Sequence, residues 1–572
     1  MLLSPPMNSP LTLDLRDNAR LSVNFLEKNL DEKQGYLPWF KTHYGEDPVR
    51  NRHTHWDFCE NPGRYTYGIV CVRQMLAQDV LQETEKRLRD VMKAHFSEHD
   101  GLNYRPKVSP FENYVPHETG PNILHEAELW DNRSVYMGLF LTALTTGNPE
   151  AKKLAEGMID ALDRIAIWKG NECHFGKIGV PPGYKPSADE PPLFGETMGG
   201  WVTPLANTYR LTGDARALRL AEGLSNFAVK NGGPLEGPME GRFNTHSVMF
   251  ILAGILRTAR ITGNRDHVEW CRRRFDWYRW NEGTSFGWYS ETPHDAKLKP
   301  GEIQSAETCA VADALDAAIQ LARAGLPRYW NEAERIARNY LVEAQLKDVS
   351  WMKATKKGVE NATFSTDRIP ERLIGCYAGW GAVNDFVNPK ARASGLNSIM
   401  HCCGPQGALG VFLAWHHGLL RDEKGVRVNL LLSRAASFAR VDSYLPHEGR
   451  VDVRMDVCDR LAVRVPDWVD PRNVRAESGG KPVDVRMEGF DFADLGFHPR
   501  GAIVTVRFPV AKIRRKEAVE GTIYTTDWRG DTVVSIDPPG TVNPFFARKS
   551  LDNDRAPMGE RDYAYPANEI DW

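Results

Sequence analysis

Two stretches far apart in the chain hold residues suited to chemistry: His401-Cys402-Cys403-Gly404-Pro405 and Glu307-Thr308-Cys309. The adjacent cysteines precede Gly-Pro and a long apolar run, Ala408 to Leu420. That order predicts a helix with Pro405 near its first turn and both thiols just ahead of it. A helix N-terminus stabilises negative charge and lowers a thiol pKa, and a metal ion lowers it further, so these sulfurs are candidate ligands, nucleophiles or both. Taken alone, a Cys-Cys pair or a Glu-x-Cys is equally met by small buried side chains. Together they offer three sulfurs and one carboxylate, the ligand types and number of a tetrahedral zinc site. The expectation is that Glu307, Cys309, Cys402 and Cys403 surround one zinc ion and that one of the paired sulfurs attacks a sugar.

A sulfur nucleophile needs a proton donor near the leaving oxygen. Glu291, in Gly287-Trp288-Tyr289-Ser290-Glu291-Thr292-Pro293, sits in an aromatic, proline-bounded setting that would desolvate it and raise its pKa, as a general acid requires. Its plain alternative is a solvated loop glutamate, and Glu302 competes for the role. Zinc would keep a thiolate at neutral pH, so no second carboxylate is required as nucleophile. Tyr377, next to Cys376, is placed either to hydrogen-bond the nucleophilic sulfur or to pack in the core. His401 either contacts a sugar hydroxyl or fills space.

The elements that must position these groups are mostly helical. Periodicity of the helical kind runs from about Ala19 to about residue 420. Three segments share one pattern: Leu141 to Asp160 around Thr146-Gly147-Asn148, Tyr209 to Phe227 around Thr212-Gly213-Asp214, and Ala259 to Phe275 around Thr262-Gly263-Asn264. In each, a helix stops at a glycine suited to the left-handed position and Asn or Asp opens the next. Such hairpins cannot bury their faces alone, so they should close into an (α/α)6 toroid. Long loops, Asn51 to Tyr67, Phe175 to Gly200, Asn231 to Arg242 and Gly283 to Ser305, would build a pocket at one mouth.

After about Asp422 the pattern alternates. Val426 to Leu432, Arg450 to Val457, Arg460 to Val465, Ala502 to Phe508 and Thr522 to Tyr524 read as strands of an antiparallel β-sandwich. The expected division is residues 1–20 as an extension whose alternating Leu11 to Leu15 could add a strand to the sandwich, 21–421 as the barrel, and 422–572 as the sandwich with a polar tail from Asn543 wrapping back over the surface.

The chain has 572 residues, too many for one ordinary core. Lysine plus arginine (72) nearly balances aspartate plus glutamate (75), so no global charge draws it to nucleic acid or anionic membrane, and uncharged or weakly charged substrates fit better. Sixteen tryptophans suit either sugar platforms or a large helical core. Nine unevenly spread cysteines suggest no disulfide framework, no basic segment with an apolar stretch opens the chain, and no run of about 18 apolar residues occurs. The reading is a reducing, cytoplasmic setting, with an oligosaccharide or glycoside as partner and a homodimer allowed.

Glu-Thr-Cys-Ala opening a helix, the later Cys-Cys before an apolar helix, Glu291 upstream of the first motif, and Leu461-Ala-Val-Arg-Val-Pro-Asp-Trp468 in the sandwich together resemble glycoside hydrolase family 127, the beta-L-arabinofuranosidases. The resemblance implies an (α/α)6 barrel with β-sandwich domains and a retaining mechanism on a zinc-bound cysteine. It implies Glu307, Cys309, Cys402 and Cys403 as zinc ligands, Cys402 as nucleophile and Glu291 as acid/base, with beta-L-arabinofuranose or a related pentose-like sugar released from plant-type glycans. Relatives carry sugar-contacting histidines in the hairpins; His246 lies near one such position, and Glu196 stands where another histidine is expected. Two other classes compete: a toroidal unsaturated-uronyl hydrolase or sugar epimerase that dispenses with the cysteines, and a carbohydrate-binding scaffold stapled by zinc.

Overall fold

A computed structural model describes residues 2–3, 7–97, 100–108, 111, 125–192, 200–239, 244–293, 303–388, 390 and 397–572. The three expected hairpin turns are present. Gly147, Gly213 and Gly263 take left-handed φ values of 69°, 76° and 72°, and the side chains of Asn148, Asp214 and Asn264 each accept a backbone N–H of the next helix.

Twelve long helices are described: α1 (Leu15–Lys28), α2 (Glu60–Leu76), α3 (Gln82–Ala94), α4 (Leu129–Thr146), α5 (Pro149–Ile165), α6 (Val202–Thr212), α7 (Ala215–Asn231), α8 (Thr245–Thr262), α9 (Arg265–Asn281), α10 (Thr308–Arg323), α11 (Tyr329–Ile336) and α12 (Cys403–Gly418). The even-numbered ones up to α10, with α12, pack each on the next, and α12 closes on α2. They form the inner ring, with α1, α3, α5, α7, α9 and α11 outside. Composition explains the division. α12 is buried along its whole length and α10 from Thr308 to Ala322, as helices apolar all round must be. α5 buries only the stripe Ala151, Ala155, Met158, Ile159, Ala161, Leu162 and Ile165.

One crossing matters for the site. A Cβ on Gly63 would lie 2.3 Å from the Ser134 backbone, and one on Gly138 would lie 2.8 Å from Gly63 O, so α2 and α4 touch backbone to backbone. This corrects the expected loop from Asn51 to Tyr67: its second half is the start of α2. Gly63 and Gly68 lower helix propensity there, but both are needed for close approach, to α4 and to Pro405 respectively.

The sandwich has two sheets. One runs in the order 419–422, 425–428, 459–464, 492–498, 486–488; the other in the order 434–435, 439–443, 450–455, 503–507, 475–478, 481–483. Pairing is antiparallel except that Gly425–Val428 runs parallel to Asp459–Arg464, with Val426 opposite Leu461. Val441, Val451, Val453, Leu461, Val463, Val504 and Val506 fill the space between the sheets.

Two further expectations shift. The sandwich core ends at Phe508, and a third sheet, Lys512–Val519, Thr522–Arg529 and Thr532–Asp537, turns Tyr524, Trp528, Val533 and Ile536 into the core of the toroid. Alternation marks a strand but not what its face packs on. At the other terminus the strand is Met7–Pro10, paired with Met558–Arg561, rather than Leu11 to Leu15. Asp14 caps α1 by accepting from Arg16 N, which ends any strand before Leu15. The tail does not stay on the surface, since Trp572 is 2% exposed. Among the described residues, no helix is long and apolar enough to cross a membrane.

Candidate active site

All six inner helices point their N-termini to one end of the ring. Glu307 stands in extended conformation just before α10, and Thr308 Oγ1 donates to Ala378 O at 2.7 Å, which holds the turn that follows. Cys309 falls in that first turn; Cys402 precedes α12 and Cys403 begins it. Cys309 Sγ lies 3.6 Å from Cys403 Sγ and 4.0 Å from Cys402 Sγ, while Glu307 Oε1 lies 3.7 Å from Cys402 Sγ and 3.9 Å from Cys403 Sγ. A tetrahedral zinc ion needs S···S edges of about 3.8 Å and S···O edges of about 3.6 Å, from Zn–S of about 2.3 Å and Zn–O of about 2.0–2.2 Å. These four separations match edges of such a tetrahedron, all four donor atoms lie within 4.8 Å of one another, and all four residues are buried.

The three sulfurs are not equivalent. Burial pushes the Cys309 and Cys403 thiols well above their ordinary range, and it raises the Glu307 carboxyl as well. Burial would also raise Cys402, but hydrogen bonds from Cys309 and Cys403 and the charge of Arg64 hold it well below the usual thiol range. Cys402 is the sulfur on which negative charge settles first.

Around this cluster the N-terminal turns of three more inner helices, α2, α4 and α8, converge. On α2, Arg64 Nη1 lies 3.8 Å from Cys309 Sγ, and Arg64 is fixed by Glu60, whose Oε1 it approaches to 2.7 Å. Glu60 Oε1 also accepts from Trp130 Nε1 of α4 at 2.9 Å. Tyr67 OH donates to Gln406 Oε1 at 2.6 Å, and Gln406 Nε2 donates to Asp313 Oδ1 at 2.6 Å. Asp313 takes His246 Nδ1–H on its other oxygen, which leaves His246 Nε2 as an acceptor facing Arg64 Nη2 at 3.4 Å. This chain of bonds fixes the orientation of every polar group that faces the sulfurs.

His246 is thus brought to the site. Glu291 is half-buried after buried Trp288 and Tyr289; its backbone bonds Thr245 at the start of α8 and Ser305 just before Glu307, and Ser305 Oγ donates to Glu291 Oε2 at 3.2 Å. Its charge is felt by Glu307. The third sheet braces the same loop: Glu517 accepts from Ser285 N at 2.7 Å. Two expectations are corrected. Tyr377 lies fully buried with its ring against Gly407, and its hydroxyl reaches no sulfur; Ser22 and Asn18 of α1 are the polar groups acting on it. His401 spends both ring nitrogens on the protein, Nδ1 donating to Trp39 O at 2.7 Å and Nε2 facing Thr42 Oγ1 at 2.7 Å, and burial pushes its pKa down to about 4. It is an anchor for the turn before α12, with no nitrogen left for a sugar. Glu196 and Glu302 lie outside the described residues.

Sequence reasoning missed Glu60, Arg64, Tyr67, Trp130, Asp313 and Gln406. The available signal was Glu60 and Arg64 at i, i+4 beside a proline, and acidic Asp313 in an otherwise apolar helix.

No family model matches the chain, and no curated protein matches it in sequence. Solved structures do share the fold. A GH127 beta-L-arabinofuranosidase from Geobacillus stearothermophilus is similar over 91% of this chain and 80% of its own, at 15% identity and a TM-score of 0.56. A second GH127 beta-arabinofuranosidase is similar over 91% of this chain and 78% of its own, at 14% identity and a TM-score of 0.60. A third structure, described only as a glycoside hydrolase, covers 88% of this chain and 84% of its own, at 14% identity and a TM-score of 0.57.

Proposed function

We propose that this chain is a retaining glycoside hydrolase of the GH127 type, with Cys402 as nucleophile and Glu291 as acid/base, releasing beta-L-arabinofuranose or a related pentose-like sugar. The observation that carries the reading is the match of Glu307, Cys309, Cys402 and Cys403 to the edges of a zinc tetrahedron, set at the end of the toroid where the polar groups converge. The shared fold with two arabinofuranosidases supports the substrate class. Zinc, when bound, would keep the sulfurs as thiolates at neutral pH.

The residues divide the work as follows. Cys402 Sγ attacks the anomeric carbon while Glu291 gives its proton to the leaving oxygen, and a sugar–sulfur bond forms as the glycosidic bond breaks. Glu291, now ionised, takes a proton from water; that water attacks the same carbon from the leaving-group side and frees the Cys402 sulfur. Two displacements return the original configuration. Arg64, oriented by Glu60 and by the Asp313–His246 pair, offsets charge on the sulfurs.

A paired substitution tests this. At saturating zinc, Cys402→Ser should lower turnover of para-nitrophenyl beta-L-arabinofuranoside by at least about a thousandfold, whereas Cys403→Ser, which removes a ligand but no nucleophile, should keep most of it. Equal turnover in wild type and Cys402→Ser overturns the thiolate mechanism. The buried His246–Asp313 pair favours one competitor, a cysteine-independent hydrolase or epimerase. That reading requires His246→Ala to abolish activity and Cys402→Ser to leave it whole.

A further inference from the structure

Arg133 on α4 is buried, 1% exposed, at the end of the ring that holds the sulfurs. Its guanidinium lies flat over the Trp130 ring, 3.8 Å from its centroid, and 4.8 Å from that of Phe250 on α8. The cation thus lies against two aromatic rings, and its hydrogen bonds are made in its own plane. There it is poorly served. Nη2 donates to Ser134 Oγ at 3.1 Å, and Nε has no acceptor.

The acids that could neutralise it are engaged elsewhere. Glu60 Oε1 stands 3.8 Å from Arg133 Nη2, beyond hydrogen-bond reach, and is already taken by Arg64 and Trp130. Asp313 gives one oxygen to His246 and the other to Gln406. Burial and the neighbouring Arg64 charge both depress the Arg133 pKa, as expected of a cation short of a counterion. Arg64, equally buried, shows the contrast: it has Glu60, Tyr67, Gln406 and His246 around it. A buried guanidinium with an unpaired donor edge is costly unless something fills it.

We propose that Arg133 binds a carboxylate carried by the substrate, so that the glycosides this site takes best are those of acidic sugars. A carboxylate fits the planar N–H fork bidentately, and no neutral hydroxyl can match both its charge and its geometry. The inference rests on the glycosidase reading for its sugar and adds the acidic group to it. The stacked Trp130 and Phe250 would hold the fork in register and offer the ring an apolar wall.

The experiment is a calorimetric titration of the zinc-loaded protein with matched pairs, D-galacturonate against D-galactose and D-glucuronate against D-glucose. The acid of at least one pair should bind at least tenfold tighter than its neutral partner. Arg133→Gln should remove that preference while leaving neutral binding unchanged. Arg133→Lys, which keeps charge without the fork, should retain a reduced preference, so that a poorly folding glutamine variant still leaves a reading. Equal binding of acid and neutral sugar in both pairs by the wild type overturns the proposal, as does a full preference surviving in Arg133→Gln. Cys402→Ser separates this from the mechanism: its acid preference should persist even though turnover is gone, and a thiolate mechanism that fails leaves the preference untouched.

Discussion

The two ends of the toroid each gather titratable side chains from several inner helices, and each offers a group of metal-ligand type: Glu307, Cys309, Cys402 and Cys403 at one end, His416, His417 and Asp571 at the other. Only the first reads as a metal centre. At the lower end both ring nitrogens of His416 are taken, by Glu569 and Asp571, and Asp571 also binds Arg210 and Arg323. Burial pushes His417 well below its usual range, helped by Arg323. A cation there would have to displace arginines that already occupy the helix C-termini, where positive charge belongs. At the mouth, helix N-termini favour anionic sulfur, and Arg64 is a cation beside them. Both ends offer side chains able to hold a metal; what differs is the ligand set and the charge around it.

The lower end is closed by the tail of this chain. Ile570 N bonds Gln74 of α2, Trp572 packs near Phe140 of α4, and Asp571 reaches α6, α10 and α12. Function and closure are thus separated along one axis.

That contrast can be broken in stages. Stripping zinc should abolish activity and restoring it should bring activity back; full turnover after verified removal would dismiss the mouth as a metal-dependent site. Acid should act in the same direction, because the ligands must be deprotonated: as pH falls, protons compete for the sulfurs and zinc affinity should drop by roughly tenfold per unit for each proton displaced. Zinc retention that is flat from neutral to mildly acidic pH contradicts this. Glu291→Gln should cost about a hundred- to ten-thousandfold in turnover, with little change in zinc content. At the other end, Asp316→Asn leaves Arg257 buried without its bidentate partner, now at 2.8 and 2.9 Å, and should lower stability by about 3 kcal/mol in urea unfolding while zinc stays bound. The smallest effect sharpens the comparison most: His417→Gln should leave one zinc per chain, and any loss would make the lower cluster a second metal site.

Much of the fold was legible because its signals are local. Thr-Gly-Asn and Thr-Gly-Asp turns encode a left-handed stop and a cap within a few residues, and the alternating valines of 450–455 encode a half-buried strand. The Leu11 to Leu15 strand failed for an equally local reason, the capping role of Asp14. The third sheet was misassigned to the sandwich because alternation is the same whichever body the buried face meets.

The candidate site divides along the same line. By itself the sequence determined which sulfurs and carboxylates exist and that each cysteine stands at a helix start, since caps and propensities act between near neighbours. Only the tertiary structure decided that Cys309 meets Cys402 and Cys403, that Tyr377 and His401 turn to the protein instead of the sulfurs, and that Arg64 and Arg133 face the same space. Inner helices such as α2, α10 and α12 are buried on nearly every side, so no apolar stripe in the sequence marks the side that looks inward. Those that build the site contribute only a few residues each, within their first two turns, and ring closure brings them together.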